Sequence, residues 1–395
     1  MERLGLGSNK GHWLLTQAQD LVENQKVVQV DSESTVEEAC DALIEHKIQS
    51  VPLYDSRSHS YVGMFDLHDL AAYILAKRET RAERTRSSSI GSDSGNSSPL
   101  VRKVTGSGRN IGGDMVSKIS DLSHMNPFYS VVPETTVAQA TQVFAKGAHR
   151  VAVMQDERTI RGILSQARVV RYFFERAASA DGATESEQQL LDSTLESLKL
   201  VSRDVVCATA DMPVVRALSL LESWHISSIA IVDEERRLVG NLSLTDVKYL
   251  ARERQLVRGS CMELVRASRF LQGVQDGQDK AAVFSVRPQA TLRYVLAKLI
   301  ATGAHRIWIT EPGAHPDPIT TTPVGDSLVP PYAGGRRASV SSSSSQTVGV
   351  APTSYAGAFG DVVCGVVSLT DILRLLAENA PKPPADPEYN YASMD

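Results

Sequence analysis

Cysteine is scarce in this chain, neither sign of charge is in large excess, and long apolar runs are missing. Four cysteines among 395 residues, Cys40, Cys207, Cys261 and Cys364, stand far apart, with no C-x-x-C spacing and no histidine cluster beside them. That pattern excludes a zinc ribbon and a disulfide framework and points to a reducing compartment. A net charge of −5 gives the whole-protein field no reason to attract nucleic acid or an anionic membrane. No apolar run is long enough to span a bilayer, and the opening MERLGLGSNKGHW has no apolar core of signal-peptide length. The expectation is a soluble protein of the cytosol, with the nucleus open. P-loop, nucleophile elbow and metal-ligand spacing are missing too, so the sequence predicts no enzyme, no catalytic cofactor and no metal site.

What is present is a repeat. STVEEACDALIEHKI, TTVAQATQVFAKGAH, MPVVRALSLLESWHI and ATLRYVLAKLIATGAH each begin at a turn residue and carry apolar side chains at helical spacing. Val36, Ala39, Cys40, Leu43 and Ile44 make one stripe; Val137, Ala140 and Phe144 a second; Val214, Ala217, Leu218 and Leu221 a third; Leu292, Val295, Leu296, Leu299 and Ile300 a fourth. A short extended piece precedes each stripe (KVVQV, YSVV, VVCAT, AVFSV), and a strand, a turn, a second strand and another helix follow. Four β-α-β-β-α units therefore account for most of the chain, which makes the fold class α/β.

Counting locates an insertion. His149 to Ser165 spans 16 positions and Ser227 to Ser243 spans 16 again, but His305 to Ser368 spans 63. The extra residues are rich in Pro, Gly and Ser and cannot build a core, and RAERTRSSSIGSDSGNSSPLVRKVTGSGRN separates the first two copies in the same manner. The expected organisation is a tail at 1–20, a first repeat at 21–78, a disordered Ser-rich linker at 79–117 and a second repeat at 118–178. A linker at 179–196, a third repeat at 197–256 and a linker at 257–276 follow. The fourth repeat, 277–379, carries a disordered insertion at 312–358, and a tail closes the chain at 380–395.

Two motifs recur. SLTD stands at Ser243–Asp246 and again at Ser368–Asp371. One reading is a capping box, in which Ser and the acid three residues on satisfy orphan backbone donors. The other is a carboxylate at a helix start that accepts both hydroxyls of a ribose. GAHR ends at Arg150 and again at Arg306, 156 positions apart, each time before an apolar strand. A guanidinium fork suits paired phosphate oxygens, and His149 and His305 add donors whose charge varies near neutral pH. The plainer reading is a pair of solvated strand-edge side chains.

With GMFDLHD, GILSQAR, GNLSLTD and GVVSLTD at the four helix starts, these motifs resemble the CBS repeat and, in four-repeat form, the gamma subunit of AMP-activated protein kinase. The resemblance covers roughly Leu21 to Asn379 outside the insertions. It implies two repeat pairs forming a pseudo-symmetric disk, and a non-catalytic regulator that takes AMP, ADP or ATP and serves Ser/Thr protein kinase catalytic and scaffold subunits. Carried over residue by residue, ribose falls to Asp69, Asp246 and Asp371. Arg168 stands at the fourth such place, where a guanidinium cannot accept a hydroxyl proton, so at most three sites are expected. Phosphate contacts fall to His149, Arg150, His305 and Arg306, with Ser227, Thr245 and Thr370 supplying hydroxyls.

Departures from the family pattern cluster at the first cleft. Gln49 stands where the gamma subunit carries Arg, Ala167 where it carries Lys, and Asp66 where it carries Ser or Thr. Each removes or opposes phosphate-binding charge near Asp69, so the nucleotide is expected at Asp246 and Asp371.

A narrower similarity links VVQVDSESTVEEACDALIEHKIQSVPLYD, FDLHDLAAYIL and SLTDILRLLAENAPKPPADPEY to a fungal four-CBS family of stress response and cell separation. Members of that family are described as inhibitors of type 2A phosphatases, which implies a type 2A-like phosphatase catalytic subunit as partner. A scaffold that no longer binds nucleotide is the third reading. RTRSSS and RRASV present Ser88, Ser89 and Ser339 in the spacing that basophilic kinases favour, and phosphate there would add roughly −1.5 to −2 charge beside arginines.

Overall fold

The computed structural model describes residues 13–87, 113–125, 127–179, 183–276, 285–313 and 360–379. A lead-in helix α1 (Ala18–Leu21) precedes the first repeat: β1 (Val30–Asp31), α2 (Val36–Glu45), β2 (Ser50–Asp55), β3 (Ser60–Asp66) and α3 (Leu67–Ser87). The second is β4 (Ser130–Val131), α4 (Val137–Ala145), β5 (Arg150–Asp156), β6 (Thr159–Ser165) and α5 (Gln166–Ala178), followed by α6 (Glu185–Asp192). The third is β7 (Cys207–Thr209), α7 (Val214–Ser223), β8 (Ser228–Val232), β9 (Leu238–Ser243) and α8 (Leu244–Val247), followed by α9 (Cys261–Asp276). The fourth is β10 (Ser285–Val286), α10 (Leu292–Thr302), β11 (Arg306–Glu311), β12 (Val362–Ser368) and α11 (Leu369–Asn379).

Local chemistry starts the helices. The hydroxyls of Thr35, Thr136 and Thr291 accept the backbone N–H three residues on, capping α2, α4 and α10. Glu38 and Gln139 return the bond to the first two caps, completing reciprocal boxes. In each repeat the first strand pairs parallel and the third antiparallel with the middle strand, giving four three-stranded sheets.

The register is common to all four. Ser50 faces Asp66, Arg150 faces Ser165, Ser228 faces Ser243 and Arg306 faces Ser368. This corrects one expectation: Gln49 shares its register position with His149 and His305, and Ser50 holds the place of Arg150 and Arg306. The loss of charge in the first repeat stands, one residue later than the sequence motif suggested.

Two kinds of interface close the disk. Helices of the first and third repeats share one core around Leu43, Tyr73, Leu218 and Leu264, and those of the second and fourth share another around Phe144, Phe173, Leu296 and Leu373. Each fully buried side chain of this size contributes roughly 1.5–3 kcal/mol. Sheets join the other way. Trp308 and Val363 pack on Ala230, Val232 and Leu238, and Trp308 Nε1 donates to Asn241 Oδ1 at 3.1 Å. Tyr61 stacks on Phe128 between the first two repeats, with centroids 6.1 Å apart.

Segments expected as linkers turn out to be structural. Trp13, in the expected tail, is 2% exposed and packs on Phe173 with centroids 5.1 Å apart. Helix α3 runs on to Ser87, Val116 is buried, α6 buries Leu190 and Leu191, and α9 buries Leu264 and Val265 in the third-repeat core. Most of these pieces carry only one or two buried apolar residues, and α9, 16 residues long, buries Cys261, Leu264 and Val265 beside many polar ones. Residues 88–112, 314–359 and 380–395, which hold most of the expected disordered linker, nearly all of the expected insertion and the whole expected tail, lie outside the described residues.

The lead-in of each repeat crosses the last strand of its sheet partner. Ser120 lies against Gly63, Val22 against Gly162 and Val201 against Gly365, each where a Cβ would collide. Ser202 also exchanges backbone bonds with Val366, at 3.0 and 2.9 Å. A Gly365→Val substitution meets Val201 and, 3.0 Å away, the Ser202 carbonyl oxygen. It is expected to lower stability by about 1–3 kcal/mol in chemical denaturation, whereas Gly113→Ala, with nothing within 4 Å, is expected to leave the midpoint unchanged.

Candidate functional site

The residues just before β5 and β11 converge. His305 Nε2 lies 3.4 Å from Gln49 Nε2, and the His149 ring stacks on His68 with centroids 5.6 Å apart and planes 6° from parallel. Burial pushes His149 down to about 3, and the charges of His68, Arg150 and His305 add to that against the opposing pull of Asp66. Solvent reaches part of the His305 ring, yet surrounding protein and then the Arg150 and Arg306 guanidiniums push it down to about 4. The two GAHR motifs therefore face one basic centre, despite their separation in sequence.

The two arginines of that centre differ. Arg306 donates through Nη1 to the Ser228 carbonyl at 3.0 Å and through Nη2 to Ser227 Oγ at 2.7 Å, while its Nε is buried with no partner. Burial pushes its pKa down to about 10, opposed by the charge of Asp371. Arg150 is also lowered by burial, but two carboxylates, Asp66 and Asp69, oppose that.

The four helix starts hold the ribose candidates, and each faces the lead-in of its sheet partner. Asp69, 1% exposed, accepts Ser123 N and Oγ at 2.9 and 2.8 Å on Oδ1, and Asp66 N and Asp121 N, both at 3.3 Å, on Oδ2. Burial and then the charge of Asp66 raise its pKa. Arg168 turns its Nε to the Leu21 carbonyl at 2.9 Å, so the lone arginine of the set meets an acceptor. Asp246, 7% exposed, accepts Ser243 N and Oγ on Oδ2 at 2.8 and 3.0 Å and Ser268 Oγ on Oδ1 at 2.5 Å; burial raises its pKa.

Asp371 is different. Its Oδ2 accepts Ser368 N at 2.9 Å and Ser368 Oγ at 2.6 Å, the side chain is 26% exposed, and Oδ1 lies 3.5 Å from Arg374 Nη1, itself half-exposed. No bond from the crossing residues Val201 and Ser202 reaches it among the described contacts. The capping box is real at both SLTD motifs, and it uses one carboxylate oxygen. What separates the two motifs is the second oxygen, sealed at Asp246 and open at Asp371.

The hydroxyl residues are spread. Ser227 binds Arg306 as above, Thr245 Oγ1 sits 2.5 Å from Ser243 Oγ, and Thr370 Oγ1 bonds the Gln166 amide at 3.0 and 3.3 Å, tying the fourth repeat to the second. Ser88, Ser89 and Ser339 lie outside the described residues. Sequence reasoning missed Ser123, Ser268, Gln166 and His68. The first two sit in the segments leading into the second and fourth repeats, 7 residues before Ser130 and 17 before Ser285, so no common spacing signals them. A cavity of about 170 Å³ opens beside Arg168, Arg171, Ile300 and Ala304, with no carboxylate among its lining residues. Among the described residues no group of three or more His, Cys, Asp or Glu is placed to hold a metal, and no helix is long and apolar enough to cross a membrane.

A pH dependence follows from the two histidines. Both are lowered in the fold from the ordinary value of 6.5, so the unfolded chain binds more protons below that pH. The stability they contribute is complete above pH 6.5 and is lost as pH falls toward 4 and 3. The thermal midpoint is expected to drop between pH 7 and pH 5, and a His149→Gln, His305→Gln variant to show a smaller drop in the same scan.

Comparison with known proteins gives relatives for the whole chain. A family model described as the CBS domain matches residues 18–76, 119–175 and 196–253. Protein SDS23 of Vanderwaltozyma polyspora is 31% identical over 382 residues, covering 92% of this chain and 68% of that protein. Protein sds23 of Aspergillus niger is 33% identical over 386 residues, covering 93% and 73%. Among solved structures, a Methanocaldococcus jannaschii protein described as a proposed archaeal homolog of g-AMPK matches with TM-score 0.59 and 13% identity, over 91% of this chain and 100% of that one. At that identity the likeness speaks for the fold alone.

Proposed function

This chain belongs to the SDS23 family of CBS-repeat proteins, and on that premise we propose that it is a non-catalytic regulator of a type 2A-like Ser/Thr protein phosphatase, governed by one adenine nucleotide bound between its third and fourth repeats. The observation that supports the nucleotide reading is an Asp371 Oδ1 that accepts no hydrogen bond and meets only the exposed Arg374 at 3.5 Å, together with an unpartnered Nε on Arg306. A ribose supplies two hydroxyl donors for the first, and a phosphate supplies acceptors for the second. His305 stands beside them, held neutral and able to take a proton when an anion arrives. AMP, ADP and ATP all carry these groups.

Two observations favour the phosphatase as partner. Similarity at 31% and 33% identity ties the chain to the family whose motifs were likened to type 2A phosphatase inhibitors. Likeness to the kinase gamma subunit rests on a fold match at 13% identity, so kinase catalytic and scaffold subunits are the weaker candidates. Regulation requires only that the nucleotide and the phosphatase prefer different populations of the disk, a coupling of about 1–3 kcal/mol.

Isothermal titration calorimetry with AMP, ADP and ATP tests the site. One equivalent is expected to bind the wild type, Asp371→Asn to weaken it at least tenfold, about 1.4 kcal/mol, and Asp246→Asn to leave it unchanged. Loss of binding in the Asp246 variant with retention in the Asp371 variant would overturn the assignment. For the partner, the isolated protein is expected to inhibit a type 2A catalytic subunit on a phosphopeptide, with nucleotide shifting the inhibition curve. Stoichiometric copurification with kinase subunits and no inhibition would reverse the order of the two partners.

A further inference from the structure

At the register position that begins each second helix, three repeats have serine, Ser165, Ser243 and Ser368, and the first has Asp66. Serine and aspartate are both good N-caps, so local helix chemistry does not ask for the charge. Asp66 does cap: its Oδ1 accepts His68 N at 2.8 Å and Asp69 N at 3.1 Å. Its Oδ2 lies 3.5 Å from His68 Nδ1, and the His68 ring lies flat on His149. The carboxylate is 1% exposed and acts on Arg150. Burial works against its charge, and the His68 hydrogen bond, His68 and Arg150 hold it well below the usual carboxylate range.

The opposite half of the disk makes the comparison. Arg306 reaches a carbonyl and a hydroxyl of the third repeat, both neutral, and the serine at the matching helix start is Ser243. Each arginine of the centre feels the carboxylate at a second-helix start, Asp69 for Arg150 and Asp371 for Arg306, and Arg150 alone feels a further buried one, Asp66.

We propose that Asp66 is a specificity-determining residue, a built-in anion that occupies the electrostatic place of a phosphate beside Arg150 and His149 and so confines anionic ligands to the Arg306 side of the centre. A fixed buried carboxylate repels a phosphate oxygen most strongly where water is excluded, and its charge already offsets that of the guanidinium that would bind one. Ligands with more phosphate groups, whose charge must extend across the centre, are disfavoured more than those with one. This deepens the proposed nucleotide reading and rests on the phosphate-facing role of Arg306 and His305.

Calorimetry on the full chain tests it with AMP, ATP and inorganic pyrophosphate, using wild type, Asp66→Ser, Asp66→Asn and Asp66→Ser, Arg150→Ala. Both single variants keep an N-cap, and circular dichroism checks their fold. The expected result is at least a tenfold gain in pyrophosphate affinity in both, a larger gain for ATP than for AMP, and loss of the gain in the double variant. Unchanged pyrophosphate and ATP affinities in folded Asp66→Ser and Asp66→Asn would overturn the proposal, as would a gain that survives removal of Arg150. Pyrophosphate has no ribose, so its arm separates the two readings. A gain for pyrophosphate with no AMP binding to any form sinks the nucleotide reading and leaves the role of Asp66 standing.

Discussion

Three of the four lead-in segments pass over the last strand of their sheet partner so closely that a Cβ at the touching glycine, Gly63, Gly162 or Gly365, would collide. That crossing sets the geometry of everything above it, because the strand ends in the helix start that bears the candidate ligand residue. At Gly63 the crossing delivers Ser123 to Asp69, and at Gly162 it delivers the Leu21 carbonyl to Arg168. At Gly365 it delivers no donor to Asp371 among the described contacts. Asp246 is reached from α9 by Ser268. Four similar units with one register therefore yield three sealed positions and one open one, and the difference lies in the segment that crosses, not in the motif crossed.

Charge follows the same division. The first and second repeats face the centre with Arg150 under the charge of both Asp66 and Asp69, while the third and fourth face it with Arg306 bonded to neutral groups and under the charge of Asp371 alone. A carboxylate removed from water must have its oxygens bonded, and Asp66 meets this through its two cap bonds and His68. The disk keeps its symmetry in backbone and relinquishes it in electrostatics.

Much of this was legible in the sequence. The stripes at Val36, Val137, Val214 and Leu292 identify the helices, and the spacing from His149 to Ser165 identifies a strand pair, because periodicity reports burial directly. GAHR and SLTD identified the residues of the centre and the helix starts, since those local motifs repeat. What was not legible depends on contacts between distant segments: Ser268 on Asp246, Ser123 on Asp69 and Trp13 on Phe173 join residues whose pairing no local pattern encodes. Gln49 was misplaced by one position for a related reason, since only strand pairing fixes register.

Strand β12 has a property that its role in the sheet does not use. It starts at Val362, just after the 46 residues that separate Gly313 from Gly360, and it ends at Ser368, the cap that fixes Asp371. Asp361 at its head is clasped by Arg287 at 3.2 Å and accepts the Leu238 N–H at 2.9 Å, so the strand is anchored at that end to the third repeat. A rod fastened in this way transmits displacement along its length. A displacement of Asp361 would reach the Asp371 carboxylate as a change of position with no change of charge, about 20 Å away, the span of six or seven extended residues.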